Sequence, residues 1–125
     1  MSSVPSLLLV DDDPVMRMFL ERILGDDYDV TTAETGQEAL DTLSSFDPDL
    51  MVLDLWLPDM DGHEVLRTVR SDDAWKELPI LVLSGRERSE ERVRSLRLGA
   101  NDHLVKPFNP EELKARLNVL RDQVT

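Results

Sequence analysis

Short apolar runs alternate with longer segments whose apolar residues recur at helical spacing, and this alternation leaves little choice of architecture. The runs are Leu7–Val10, Val30–Ala33, Leu50–Leu53, Ile80–Leu83 and His103–Val105. Five strands alternating with five helices imply a parallel sheet covered by helices on both faces. Runs one, three, four and five are apolar without alternation, as expected for strands buried on both sides. Right-handed crossovers leave few topologies. The doubly wound order 2-1-3-4-5 is the simplest for this element count, which predicts an α/β fold with a five-stranded parallel sheet and five helices.

Residue chemistry marks the helix ends. Pro14 stands where a first helical turn tolerates proline. Val15, Met16, Phe19, Leu20, Ile23 and Leu24 then form a stripe at helical spacing, ended by Gly25. Thr35 and Glu38 have the spacing of a capping box, with Ala39, Leu40 and Leu43 inward behind it. Val65, Leu66 and Val69 supply the buried face of the third helix, and Trp75 is expected to fold over apolar surface. The fourth helix is expected from Ser89 to Leu98, stopping at Gly99. Asn109, Pro110, Glu111 and Glu112 supply an N-cap, a first-turn proline and acids near the positive end of the last helix. Leu113, Leu117 and Leu120 complete it.

No linker, repeat or low-complexity stretch divides the chain, so residues 1–125 read as one domain. The 41% hydrophobic content is enough to fill a core. Without cysteine there is neither a disulfide framework nor thiolate chemistry. Leu7–Val10 is too short for a signal peptide or a membrane span, so the expected location is cytoplasmic with no membrane partner. The net charge is -12, from 14 basic and 26 acidic residues. Nucleic acid repels such a chain, so no direct nucleic-acid binding is expected.

In the order 2-1-3-4-5, strands one and three are neighbours and the winding reverses between them. Ligands of open α/β sheets bind at that crevice, beyond the carboxyl ends of the strands. Asp11 and Asp12 follow the first run there, Asp54 the third, Ser84 the fourth and Lys106 the fifth. Three adjacent carboxylates repel one another unless a cation joins them. An incomplete, oxygen-only ligand set suits Mg²⁺. Asp12 and Asp54 are the expected direct ligands, with Asp11 acting through water and the Trp56 carbonyl as a further donor. A carboxylate beside a metal can also attack phosphorus. Asp54 is the candidate nucleophile because it is central, with the Lys106 ammonium and the Ser84 hydroxyl available to the phosphoryl oxygens.

Val10-Asp11-Asp12, Asp54 followed by Leu57-Pro58-Asp59-Met60-Asp61-Gly62, Ser84-Gly85 and Lys106-Pro107-Phe108 together resemble the receiver domain of two-component response regulators. The resemblance covers essentially the whole chain and implies the flavodoxin-like form of the fold. It implies that Asp54 accepts phosphate, that Asp11 and Asp12 hold Mg²⁺, and that Lys106 contacts the acyl phosphate. Ser84 matches the switch hydroxyl and His103 the aromatic switch position. The implied donor is a sensor histidine kinase or a histidine phosphotransfer protein. The implied signal is a two-state shift of the face formed by helix four, strand five and helix five. A protein of this kind is not an enzyme beyond its own phosphorylation and dephosphorylation. The chain stops at Thr125, so a downstream protein or a missing output domain is expected to read the signal.

Other residues have two readings. Histidine at 103 either packs like an aromatic ring or titrates near neutral pH. Trp56 either shields an acyl phosphate from water or lies on the surface. His63 is expected as a solvated or capping residue, Asp13 as a helix cap, and Asp59 and Asp61 as turn and cap residues. Arg86, Arg88, Arg92, Arg94 and Arg97 cluster in an acidic chain. They form either a solvated helix paired with Glu87, Glu90 and Glu91 or a docking surface for an acidic partner on the signalling face, with Arg92 and Arg97 as its partner-binding residues. Two other functions fit less well. An aspartyl-phosphate-type metal-dependent phosphatase, as its own resemblance would imply, needs an aspartate where Trp56 stands. A receiver acting without phosphate has no need of an intact Asp54 and Lys106.

Overall fold

The computed structural model describes residues 4–85 and 89–123. Strands β1 (Ser6–Val10), β2 (Asp29–Ala33), β3 (Leu50–Asp54), β4 (Ile80–Ser84) and β5 (Asp102–Val105) form one parallel sheet in the order β2-β1-β3-β4-β5. Helices α1 (Pro14–Leu24), α2 (Gly36–Leu43), α3 (Gly62–Ser71), α4 (Ser89–Arg97) and α5 (Pro110–Gln123) follow the strands in turn. Among the described residues no helix is long and apolar enough to cross a membrane.

Strand side chains alternate between the two faces of the sheet, and each face has its own core. Leu8, Val10, Met51, Leu53, Ile80 and Val82 pack against α2 and α3 through Ala39, Leu43, Val65, Leu66 and Val69. Leu7, Leu9, Leu50, Val52, Leu81 and Leu83 pack against α1 and α5 through Leu20, Leu24, Leu113 and Leu117. Trp75 packs at the edge of the first core. The helix caps follow residue chemistry. Asp13 accepts from the Val15 N–H, Thr35 from Glu38, Asp61 from His63 and Asn109 from Glu111. Gly99 takes φ +111°, a backbone conformation suited to glycine.

One expected stripe is narrower than its spacing suggested. Val15 is 74% exposed and Phe19 41%, so α1 seats only Met16, Leu20, Ile23 and Leu24. Residues 15 and 19 share a helix row about 100° away from 16 and 20, and that row turns to solvent. Helix α4 buries the fewest described side chains of the five helices. Ser95 is its one fully buried side chain among those described, while Val93 and Leu96 are exposed.

Candidate functional site

Strand register assembles the site. Val10 pairs with Leu53, Asp54 with Leu83, and Ser84 with Val105. The strands therefore end nearly level, and the next polar residues emerge at one edge. The main chain continues these ladders just past the strand ends. The Asp11 N–H donates to the Ala33 carbonyl at 3.1 Å, Leu55 to Leu83 at 3.1 Å, and Lys106 to Ser84 at 2.7 Å.

Asp11 is fully buried. Its Oδ1 accepts from the Asp13 N–H at 2.9 Å, and its Oδ2 lies 3.2 Å from Lys106 Nζ. Asp54 is 4% exposed. Its Oδ1 accepts from the Trp56 N–H at 3.0 Å, and its Oδ2 also lies 3.2 Å from Lys106 Nζ. One ammonium thus bridges two buried carboxylates. Burial pushes the Asp54 pKa above its ordinary value, against the Trp56 N–H and Lys106, with Asp11 adding to the rise. Burial alone works against the Lys106 ammonium, but Asp54 and then Asp11 more than offset it, and its pKa is raised. Asp12 is exposed beside the pair. Oxygens of Asp11, Asp12 and Asp54 lie within 4.8 Å of one another. Such a set of hard donors, open to solvent on the Asp12 side, fits a small divalent cation.

The loop after β3 is held from both ends. The Gly62 N–H donates to the Leu55 carbonyl at 2.9 Å, and Trp56 bridges to Asp61. Asp59 accepts from the Gly36 and Gln37 N–H groups at 2.8 and 2.9 Å, so it caps α2 from a distance. Those N–H groups hold its pKa below the ordinary carboxylate range. The Trp56 residue is 47% exposed. Ser84 is buried at the end of β4, and His103 is buried on β5, outside the oxygen cluster.

The two arginines assigned to the docking surface line different grooves. Arg92 lines a groove with His103, Phe108 and Arg116, whereas Arg97 sits with Glu90, Val93 and Arg94. Five residues apart on a helix is a turn of roughly 140°. Glu90 and Glu91 lie in the first turn of α4 and Arg94 and Arg97 in its last, which complements the helix dipole. Arg86, Arg88 and Glu87 lie outside the described residues.

His63 overturns its expected place. It is 1% exposed, with Nδ1 3.0 Å from the Asp61 carboxylate and Nε2 3.3 Å from the Ser95 hydroxyl. Its backbone N–H is itself capped by the Asp61 carboxylate at 2.9 Å, and Ser95 of α4 meets the ring at the first turn of α3, where it is out of solvent. Arg17 was not anticipated. Its Nη1 donates to the Asp11 carbonyl at 2.9 Å, tethering the peptide between Asp11 and Asp12, and its Nη2 lies 3.6 Å from Glu34. The one available signal is its place a turn into α1, where a long side chain reaches back over the acidic loop.

A family model described as the response regulator receiver domain matches residues 7–118. The chain is 47% identical over 120 residues to the response regulator MprA of Mycolicibacterium vanbaalenii, covering 95% of this chain and 51% of that protein. It is 41% identical to the cell cycle response regulator CtrA of Brucella ovis, covering 91% of this chain and 49% of that one. The chain therefore spans about half the length of these curated relatives. The receiver domain of the Francisella response regulator 1452 superposes with TM-score 0.91 at 30% identity, covering 97% and 99% of the two chains. The chemotaxis response regulator CheY4 of Vibrio cholerae superposes with TM-score 0.89 at 34% identity, covering 94% and 99%. Sequence, topology and the acidic edge of the sheet agree, and the chain belongs to the response regulator receiver domain family, the phosphorylation-controlled module of two-component signalling.

Proposed function

We propose that this receiver takes a phosphoryl group onto Asp54 from the phosphohistidine of a sensor kinase or phosphotransfer protein. The bridge from Lys106 Nζ to Asp11 and Asp54, 3.2 Å on each side, is the observation that carries this. An Asp54 carboxylate oxygen attacks phosphorus. The phosphorus–nitrogen bond breaks, and its electron pair leaves on the donor imidazole. The product is an acyl phosphate, and attack by water on phosphorus returns the carboxylate. Burial makes Asp54 more basic than a surface aspartate, which favours attack, while Lys106 keeps it ionised. As phosphate arrives, the ammonium exchanges a carboxylate oxygen for a phosphoryl oxygen. Ser84 stands at the end of the next strand as a hydroxyl donor to another phosphoryl oxygen.

Asp12 and Asp54 would hold Mg²⁺ directly, with Asp11 acting through water and the Trp56 carbonyl as a fourth donor. The chemistry such an ion supplies is charge neutralisation at the phosphoryl oxygens. Turnover of the chain's own phosphate is the only catalysis in this reading. Output runs through α4, β5 and α5, with Ser84 at the end of β4 and His103 on β5 as switch residues, and with Arg92 on the β5–α5 side of α4 and Arg97 on its outer side meeting a partner protein or an attached output domain. The cytoplasm, where a sensor kinase presents its phosphohistidine, is the compartment that suits this chemistry. The charge of -12 speaks against direct nucleic-acid binding by this domain.

Incubation with Mg²⁺ and acetyl phosphate, followed by intact mass measurement, tests the assignment. A phosphoryl adduct is expected on the wild type and none on Asp54→Asn. An adduct of equal yield on Asp54→Asn moves the acceptor elsewhere.

A further inference from the structure

We propose that His103 is an acid-sensitive latch between α4 and β5: protonating its imidazole releases the ring from beneath α4 and loosens that helix, with or without phosphate on Asp54. The inference goes beyond phosphoryl transfer, and its failure leaves the Asp54 assignment untouched.

His103 is 6% exposed, and both of its ring nitrogens are buried without a hydrogen-bond partner among the described residues. A neutral imidazole carries one N–H donor and one acceptor, and here neither is satisfied. Among the described residues the surroundings offer no replacement. On β4 it stands opposite Val82. On its own strand Asp102 is held by both carboxylate oxygens to Arg116 Nη1 of α5, at 2.8 and 2.9 Å. Helix α4 contributes Arg92, whose charge opposes an imidazolium, and Glu91, whose charge favours one. Helix α3 contributes His63, a second titratable ring of the same sign when charged. Glu112 and Arg116 of α5 line the adjoining groove of about 330 Å³. Burial first, and then Arg92, outweigh Glu91 and Asp102, and the His103 pKa is lowered.

The sign follows from linkage. An imidazole released to water titrates at about 6.5, and burial holds it lower in the latched setting. The released state therefore binds more protons. As pH falls through the exposed value its population rises tenfold per unit, until the buried ring also titrates. Helix α4 is built to yield. Its one fully buried described side chain is Ser95, whose hydroxyl lies 3.3 Å from His63 Nε2, while Val93 and Leu96 are exposed. The groove beside β5 supplies room for the ring to leave. In the buried setting the unsatisfied nitrogens already favour release, so a modest fall in pH moves the balance.

Histidine and amide NMR titrations on the unphosphorylated protein, from mildly alkaline to mildly acidic pH, test the latch. The His103 ring protons and the amides of α4 and β5 are expected to move together with one midpoint. In His103→Phe and His103→Tyr that shared transition disappears, whereas in His63→Gln it remains. A transition of unchanged midpoint in both His103 variants overturns the proposal. So does a His103 titration that no α4 or β5 amide follows. Two variants guard against one that fails to fold, and the ring titration of the wild type needs no variant.

Discussion

Replacing Lys106 by methionine keeps the length of the side chain and removes the charge that two buried carboxylates share. Each contact is 3.2 Å, and at an effective dielectric constant of about 20 a unit pair at that distance is worth about 5 kcal/mol. The net loss is smaller, because the ammonium regains hydration in the unfolded chain and its side chain is 20% exposed in the native one. Removing one partner of a buried pair costs about 3–5 kcal/mol. With that exposure, about 2–4 kcal/mol is expected for Lys106→Met. Urea unfolding in chelator near neutral pH, at fixed ionic strength, measures it. The loss has a specific origin, namely repulsion and desolvation at Asp11 and Asp54, so it must depend on those groups. Asp54→Asn in the methionine background is expected to recover a large part of it, giving a coupling energy of about 1–3 kcal/mol in the double-mutant cycle. Mg²⁺ is expected to recover part as well, since a ligand of the native state at a hundredfold its Kd adds about 2.7 kcal/mol. A Lys106→Met protein within about 0.5 kcal/mol of wild type refutes the reasoning, and so does a loss that Asp54→Asn leaves unchanged.

Two further outcomes follow from the same geometry. The Asp54 pKa is raised by burial, so its contribution to stability is fully present below the unfolded value and lost as pH rises through the folded one. The stability advantage of Asp54→Asn over wild type, measured by urea unfolding in chelator, is therefore expected to grow from acid to neutral pH; an advantage that shrinks over this range contradicts the sign. At Gly62 an added Cβ would lie 2.5 Å from Leu55 Cα and 2.9 Å from the Asp54 carbonyl oxygen. Gly62→Ala must then displace the backbone next to Asp54, with an expected loss of about 1–3 kcal/mol and slower phosphorylation by acetyl phosphate; a variant matching wild type in both would show that the loop moves freely.

Much of this protein is legible in sequence because the responsible forces act over a few residues. Asp13, Thr35, Asp61 and Asn109 cap the helices they precede, as side-chain geometry within one turn dictates. Unbroken apolar runs announce strands covered on both faces, and with right-handed crossovers they prescribe the sheet order. Once that order is known, Asp11, Asp12, Asp54 and Lys106 must emerge at one edge.

Other features depend on which surfaces meet. Val15 and Phe19 face solvent because the sheet accepts only the row through Met16 and Leu20. His63 loses its solvent because a helix some thirty residues later in the chain sets Ser95 beside it. Asp59 caps a helix that precedes it in the chain, a contact no local spacing encodes. Arg92 and Arg97 part because their neighbours differ, Arg92 facing β5 and α5 and Arg97 facing the outer side of α4. Sequence alone determined the elements, their order and the polar residues at the ends of the strands. Tertiary structure decided burial, and with it the shared ammonium of Lys106 and the stranded nitrogens of His103, because desolvation depends on every group that closes over a side chain.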